Sequence, residues 1–477
     1  MNKSIFFAIV LSLILSTALF SAKTIEVYLQ NIYDPTQYPE TSKILEEIVD
    51  EYERLHPDIK IVLIPAEDGG GGASGTEYNI RTWLTARMAA GNPPHIAWEQ
   101  YYMRPVQKGW WIPLDIYLDL PNPYFFDKSW KESIYDHVWR NVISPDGHYY
   151  TLAMDWVETG FYYNKEIFNK LNLPTNFESW EEFISTLDKL KNSGYVPFVA
   201  QEWGYFQWAD DILMSAFWND KVPEMFLEET GRTYKGREWR MLTVEEVAKA
   251  IYDGTLNAYD ERFKNYLETL KEWSKYWAPG YSVITETDAL TLFLSEQAAI
   301  FWSATGAKVD IEKSASFDWG ITYFPPITCA KEYLLPEFSD VSFRVGGPSS
   351  VGQYGITIRA QNENLIEECV DFLMYLSTPE TFGKVLAIDG RYLPMIVGTE
   401  VSQQLKYFAE NVATLPERAF PDPAARLTPE QGARYKSAIQ NFLVGTWNIE
   451  RTQREIQEGW ENAVEILAKE NSYGWYK

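Results

Sequence analysis

The stretch GGGASG, residues 70 to 75, has the composition of a loop that can hold a phosphate group. It follows a strand-like segment, IKIVLIP at 59 to 65, and precedes a helix-like segment at 77 to 90, with Glu99 about twenty residues later. Strand, G-x-G-x-x-G, helix and acid together make up the motif that binds dinucleotides. The first question is therefore whether the chain holds a nicotinamide cofactor.

Three features of the sequence argue against a cofactor. The motif normally follows the first strand of its domain, but a strand-like segment at 24 to 30 and a helical pattern at 40 to 55 precede it here. Glu67 and Asp68 adjoin the loop, where carboxylates disfavour a pyrophosphate. Four consecutive glycines indicate flexibility rather than three placed turns. We therefore predict no cofactor and interpret the segment as a mobile loop at the edge of a cleft.

A second set of residues has the chemistry that carbohydrates require. Sugar hydroxyls bond to carboxylates and amides, and the apolar face of a sugar ring stacks on an indole. Ligands of open α/β sheets bind beyond the carboxyl ends of strands. The residues predicted to bind a ligand are Gln30 and Asn31 after the first strand; Glu99, Gln100 and Tyr101 after the third; Asp155, Trp156 and Glu158 near 152 to 158; Trp203 and Trp208 after a strand at 196 to 200; and Trp302 after a strand at 298 to 301. The residue types leave open whether Trp203 and Trp208 are core residues instead.

The elements that must position these residues follow from periodicity. Segments 24 to 30, 59 to 64 and 95 to 98 resemble strands, and helical patterns lie between them. This β-α-β-α-β order predicts a parallel sheet with helices on its faces. Capping-box sequences predict further helix starts, at Ser129 to Glu132, Ser179 to Glu182 and Thr243 to Glu246. A further helix is expected from about Gln207 to Trp218.

Composition and charge exclude several function classes. A chain of 477 residues is too long for one core, so we expect two or more lobes. A formal net charge of -25 excludes a nucleic-acid partner, because phosphate contacts need a basic surface. The four histidines have no metal-ligand spacing, so we predict no metal site. The two cysteines, Cys329 and Cys369, could form a disulfide or remain free thiols, and the sequence leaves both open.

The first 22 residues are typical of a secretory signal. Lys3 precedes an apolar run from Ile5 to Leu15, and small residues follow, so cleavage after Ala18 or after Ala22 is expected. No cysteine lies nearby that could carry a lipid. We predict an exported protein, periplasmic or extracellular.

Seven sequence landmarks, in order, resemble one family. They are ERLHPDIKIVLIP, ARMAAGNPPHIAW, GWWIPLD, the long segment GHYYTLAMDWVETGFYYNKEIFNKLNLPTNFESWEEF, FLSEQAAIFW, YGITIRA with VDFLMYLSTPE, and GRYLP. Together they are similar to the bacterial extracellular solute-binding proteins (family 1) of carbohydrate ABC transporters, the family that includes maltodextrin-binding protein. The chain departs from the family at His95, where Asp is usual, at Ala153, where Pro is usual, and at Gly306, where a Trp is common.

The resemblance implies a fold and its division. It implies an α/β fold of two lobes, like the type II periplasmic binding proteins, with hinge crossovers and a ligand cleft between the lobes. After a signal peptide at 1–22, lobe one would comprise 23–153 plus 345–395, and lobe two, richer in helices, 156–342 plus 400–477. The chain would cross between the lobes near 152–158, 342–355 and 392–400.

The resemblance also implies a function. The protein would be the substrate-binding component of an ABC importer, a monomer and not an enzyme, which captures a carbohydrate, favoured as an oligosaccharide, and delivers it to membrane permease subunits. Two alternatives stay open at this point: a binding protein for a polyol or peptide, and a secreted glycoside hydrolase that uses two of the many carboxylates.

Overall fold

A computed structural model describes residues 22–30, 32–65, 77–99, 109–144, 146–348, 353–420 and 427–477. The glycine loop at 70 to 75 and three predicted ligand-binding residues, Asn31, Gln100 and Tyr101, lie outside the described residues. So does the predicted signal segment as far as residue 21.

The described strands are short and fall into four sheets. In chain order they are β1 Lys23–Tyr28, β2 Ile59–Ile64, β3 Ile96–Trp98, β4 Leu152–Ala153, β5 Asp155–Val157, β6 Thr159–Asn164, β7 Val196–Ala200, β8 Thr233–Tyr234, β9 Arg237–Glu238, β10 Ala298–Ala304, β11 Trp319–Thr322, β12 Gly347–Pro348, β13 Gln353–Ile356 and β14 Leu393–Pro394.

The helices pack on these sheets and on one another. Their bounds are Pro39–Leu55, Glu77–Ala89, Asp115–Leu118, Asp136–Val142, Lys165–Lys170, Trp180–Asn192, Ala209–Phe217, Val222–Met225, Val244–Tyr252, Glu261–Ser274, Glu286–Leu294, Ala307–Ser314, Ile358–Asn362, Ile366–Leu376, Lys384–Asp389, Lys406–Thr414, Pro429–Leu443 and Ile449–Asn471. Shorter helical turns are 3-10 turns at Lys131–Ser133, Thr328–Tyr333, Pro336–Phe338 and Gln403–Leu405, and π turns at Gly204–Trp208 and Pro379–Gly383.

The sheet of lobe one has the order β2-β1-β3-β13-β4. β1 pairs in parallel with β2 and with β3, which confirms the predicted β-α-β-α-β unit. β13 then inserts antiparallel between β3 and β4. The carboxyl ends of β1 and β3 therefore lie at the same edge, where Gln30 and Glu99 follow them.

The sheet of lobe two has the order β11-β6-β10-β7. β7 and β10 are parallel, so their carboxyl ends share one edge. β6 runs antiparallel to β10 and begins at that same edge, where Thr159 lies opposite Ala304. The crossover segment before β6 therefore enters lobe two beside the ends of β7 and β10.

The three predicted crossover segments pair with one another in a separate sheet. β5 lies in its middle, antiparallel to β12 on one side and to β14 on the other. Gly346 lies so close to β5 that a Cβ atom there would overlap the Val157 carbonyl oxygen and the Glu158 carboxylate. Gly346 thus serves close packing in the crossover sheet. The exact limits of the two lobes stay a prediction.

Two predicted helix starts need correction. Ser129 and Glu132 exchange the expected capping bonds, but only the short turn Lys131–Ser133 follows, because Ile134 turns away to bridge Ile396. The helix predicted from about residue 207 begins earlier, as a π turn at Gly204 that continues into Ala209–Phe217. The capping box at Thr243 is confirmed in full.

A substitution at Gly346 tests the close packing of the crossover sheet. We expect Gly346→Ala to lower the free energy of unfolding by about 1–3 kcal/mol, the usual cost of overpacking. Gly474→Ala is the matched control, because a Cβ at Gly474 meets nothing within 4 Å. Urea unfolding followed by circular dichroism measures both; equal midpoints for the two variants would contradict the packing role.

Candidate functional site

A π turn after β7 shapes the edge of lobe two. β7 ends at Ala200, and the Tyr205 hydroxyl accepts a hydrogen bond from the Ala200 N–H at 2.8 Å, which ties the turn to the strand end. Gly204 lies close to Ala200 and Trp208, 3.2 and 3.4 Å from where its Cβ would be. The turn therefore needs a small residue here, and π turns of this kind are frequent at functional sites.

A row of three indoles runs from the surface of this edge into the core. Trp203 is 42% exposed, Trp208 is buried at 6% and Trp302 at 0%. The Trp203 and Trp208 ring centroids are 4.8 Å apart with an interplanar angle of 68°, and those of Trp208 and Trp302 are 5.3 Å apart. Packing against Trp208 thus holds Trp203 while leaving part of its surface open for stacking.

A cavity of about 440 Å³ opens beside Trp203. That volume lies within the range of about 300–1,000 Å³ that is usual for small-molecule sites. Three separate parts of lobe two line it: the loop after β7, the approach to helix Glu286–Leu294, and helix Pro429–Leu443. The lining residues are Gln201, Glu202, Trp203, Ser282, Val283, Ile284, Thr285, Glu286 and Lys436.

Two carboxyl groups line this cavity, one in an ion pair and the other bonded to a hydroxyl group. Glu202 forms an ion pair with Lys436. The Glu286 Oε1 atom accepts a hydrogen bond from the Ser303 hydroxyl of β10, whereas its Oε2 is buried and has no partner among the described residues. Burial raises the pKa of Glu286 to about 7, and the charge of Asp310 adds to the effect. The cavity therefore holds one paired ion and one carboxyl group that titrates near neutrality.

The described lobe-one candidates lie at the opposite sheet's carboxyl edge. Gln30 is buried, and its Oε1 has no partner within the described ranges. Glu99 is half-buried, and its N–H donates to the Gln353 carbonyl at 3.2 Å. Asp155 is buried in the crossover sheet; burial, and after it the Asp155 charge, raise the pKa of Tyr354 well above its usual value. These groups are polar and close to the hinge.

Trp156 and Glu158 form a cluster inside the hinge. Both are fully buried, and the Trp156 Nε1–H donates to Glu158 Oε1 at 2.8 Å. The Arg344 guanidinium lies 3.4 Å from the Glu158 carboxylate and 4.9 Å from the Trp156 ring centroid. Burial raises the pKa of Glu158, and Arg344 opposes that shift. His137 of lobe one packs edge-on against Trp156, and burial lowers its pKa to about 4.

The structure thus divides the predicted residues into two groups. Trp203 and Trp208 meet at the cavity edge. Trp156, Glu158 and Trp302 instead have structural partners, since Trp302 packs in the lobe-two core within 4.9 Å of the Phe324 ring centroid. A fully buried indole offers no face for stacking, so we leave these three out of the contact set proposed below. Trp203 and Trp302 are the same residue type, and burial separates them.

The lining residues that sequence reasoning missed include Glu286 and Lys436. Thr285 and Asp288 form a capping box that places Glu286 at the start of its helix. That T-x-x-D pattern is visible in the sequence and could have indicated the helix start. No local signal connects Lys436 with Glu202, more than two hundred residues away in the chain.

A second cavity, of about 560 Å³, lies around the β8–β9 hairpin. Several of its charged side chains are already paired, Arg237 with Glu337 at 3.1 Å and Lys235 with Asp340 at 3.4 Å. None of its lining residues among those described is a tryptophan. It lacks the stacking surface of the first cavity.

Two α/β sheets joined by three crossing segments are the architecture of two-lobe solute-binding proteins. The chain belongs to one family of that class, the bacterial extracellular solute-binding proteins, whose sequence profile matches residues 37–381. The family resemblance and the two-lobe fold predicted from the sequence are both confirmed. Family and fold are those of binding proteins rather than enzymes.

Several known proteins are similar to this chain. An uncharacterized ABC transporter extracellular-binding protein of Pyrococcus horikoshii is 23% identical over 287 residues, which cover 57% of this chain and 56% of that protein. A chitin oligosaccharide binding protein of known structure is 20% identical, with a TM-score of 0.64 over 93% of this chain and 99% of its own. The solute-binding protein RafE of Streptococcus pneumoniae, in complex with raffinose, is 16% identical, with a TM-score of 0.60 over 92% and 99%.

Two features are absent from the described residues. No group of His, Cys, Asp or Glu side chains among them could hold a metal ion. None of their helices is long and apolar enough to cross a membrane. Cys329 and Cys369 are both free thiols in the structure.

Removal of Arg344 tests the buried pair in the hinge. We expect Arg344→Met to lower the free energy of unfolding by about 3–5 kcal/mol at pH 8, because it leaves the Glu158 carboxylate buried without a cation. The loss should be smaller at pH 5. Because burial raises the pKa of Glu158, the folded variant holds a proton that the unfolded chain has released. The free energy of unfolding of the variant therefore falls as pH rises.

The double variant Arg344→Met/Glu158→Gln is the control for this prediction. Without a buried charge it should lose less stability than Arg344→Met at pH 8 and show no extra pH dependence. Urea unfolding at both pH values gives the comparison. A stability loss for Arg344→Met that is the same at pH 8 as at pH 5 would show that burial does not raise the pKa of Glu158 in the variant.

Proposed function

We propose that this protein is the substrate-binding component of an ABC importer and captures a carbohydrate in the cleft between its lobes. One observation carries the proposal: Trp203 presents a partly open indole beside carboxylate, amide and ammonium groups at the carboxyl edge of the lobe-two sheet. That combination suits a sugar, which offers both an apolar face and hydroxyls. Gln30, Glu99 and Asp155 are the proposed contacts from lobe one.

Capture would couple to delivery through lobe closure. A ligand that bonds to both lobes favours the conformation in which both sets of contacts exist, and so shifts the population toward the closed state. The closed receptor would then be the form that membrane permease subunits accept. The chitin oligosaccharide and raffinose named for structures of the same fold support an oligosaccharide as ligand. The name of the Pyrococcus relative supports the transporter assignment.

A second function, glycoside hydrolysis, has one observation in its favour. Glu286, with a pKa of about 7, shares a cavity with Glu202, which is paired with Lys436. A protonated and an ionised carboxyl group flanking a sugar are the machinery of a glycosidase. Chromatography of the ligand after incubation with the protein separates the functions, because a receptor returns the sugar intact and a hydrolase yields shorter products.

Trp203→Ala tests the proposed stacking contact. Calorimetry would titrate the protein with raffinose and with oligosaccharides of chitin, xylan and maltose. Glycerol and a tripeptide would be titrated in the same way to test the alternative solutes. We expect the wild type to bind one of the oligosaccharides saturably. We expect Trp203→Ala to bind it at least about tenfold more weakly, a loss of about 1.4 kcal/mol.

Tyr259→Ala is the matched control for Trp203→Ala. Tyr259 is an exposed aromatic residue of the predicted lobe two, at 57% exposure, and does not line the cavity. Both variants should unfold close to the wild type, since neither side chain is buried. Undiminished binding by Trp203→Ala would remove Trp203 from the site, and binding of only glycerol or peptide would overturn the carbohydrate assignment.

A further inference from the structure

The Glu286 carboxyl group is only half satisfied by the protein. Ser303 donates to Oε1, while Oε2 is buried and has no partner among the described residues. Buried polar atoms in folded proteins nearly always have a partner, so an exception calls for an explanation. This one lies in the wall of the cavity beside Trp203. A bound molecule that donates a hydrogen bond would give Oε2 a partner.

We propose that Glu286 Oε2 accepts a hydrogen bond from a hydroxyl of the bound carbohydrate, and that this contact makes capture depend on pH and favours neutral over acidic sugars. The inference rests on the proposed function, since it names the side chain that would contact the ligand in the same cavity. A hydrogen bond to a carboxylate is about twice as strong as one between neutral groups. Capture should therefore be tighter when Glu286 is ionised.

The charged groups around Glu286 determine the sign of the charge that a ligand meets in the cavity. From helix Ala307–Ser314, Asp310 opposes ionisation; from β6, the Tyr162 phenol faces the Glu286 charge without adding one of its own. From helix Pro429–Leu443 and the loop after β7, Lys436 and Glu202 neutralise each other. On its own helix, Asp288 is engaged by the Thr285 cap.

The cavity consequently carries a net negative charge once Glu286 ionises. Because the pKa of Glu286 is about 7, that change falls near neutrality. A ligand that bonds to the ionised form lowers this pKa and releases a proton on binding. Its affinity then rises with pH up to about 8 and levels off above. A ligand carboxylate would meet repulsion over the same range, because no unpaired cation lines the cavity among the described residues.

The test is calorimetry with the tightest-binding neutral oligosaccharide of the panel above, at pH 5.5, 7.0 and 8.5. We expect the wild-type association constant to rise about tenfold from pH 5.5 to 8.5, the difference between a charged and a neutral hydrogen bond. Glu286→Gln should bind about tenfold more weakly than wild type at pH 8.5 and show no such rise. Titrations at pH 7 in buffers of different ionisation enthalpy should show proton release by the wild type alone.

Two further variants sharpen the test. Asp310→Asn should shift the wild-type pH midpoint downward, because the Asp310 charge raises the pKa of Glu286. Glu312→Gln is the control, since Glu312 is paired with Lys308 and does not line the cavity. It should keep the wild-type profile. A merely structural role for Glu286 would move unfolding midpoints without changing proton release.

The preference for neutral sugars is measured with the same oligosaccharide oxidised at C6 to a uronate. We expect the wild type at pH 8.5 to prefer the neutral form by more than tenfold and Glu286→Gln to show a smaller ratio. A flat wild-type pH profile, or a rise that persists in Glu286→Gln, would overturn the inference while leaving carbohydrate binding intact. Failure of every oligosaccharide to bind at every pH would instead overturn the proposed function.

Discussion

The two lobes depend on one constraint: the backbone passes between them three times, and each passage must keep its polar groups bonded. The chain meets this constraint by pairing β12, β5 and β14 in a small antiparallel sheet. The buried Glu158–Arg344 pair and the Trp156 indole then fill the space beside it, and Gly346 allows the close approach. The Thr305 N–H donates to the Glu158 carbonyl at 2.8 Å, which ties the hinge directly to the end of β10. The hinge therefore fixes the position of the sheet edge in lobe two at which β10 ends.

The candidate site shows how one residue type serves two purposes in the same place. Trp203, Trp208 and Trp302 form a continuous row, and each supports the next. The inner end belongs to an aromatic core that includes Phe161, Phe198, Trp273 and Phe324. The outer end is partly open beside a mixed set of charges. A rigid core thus reaches the surface without a flexible link, which keeps the outermost indole in a defined orientation.

The amino-acid sequence predicted β1, β2, β3, β7 and β10 and several helix starts, because apolar periodicity and capping patterns are local. It also predicted the three crossings, through the family resemblance. It could not separate Trp203 from Trp302, since both were predicted to follow strands; the structure instead places Trp302 within β10, fully buried, and leaves Trp203 partly exposed. Glu158 was expected near a ligand, but its position relative to Arg344 depends on a long-range pairing. Glu286 and Lys436 escaped notice for the same reason: they approach the cavity from distant parts of the chain.

The insertion of β13 between β3 and β4 has a consequence for how the chain reaches its native state. β4 ends at Ala153 and β13 begins at Gln353, so 200 positions separate neighbours in the same sheet. The lobe-one sheet cannot close until the ribosome has synthesised β13, after the 156–342 part of lobe two, and closing so long a loop is slow. The growing chain would therefore remain open through most of its synthesis. Slow closure of this kind would suit the export predicted from the first 22 residues, because a secreted chain is threaded through a translocation channel before it folds.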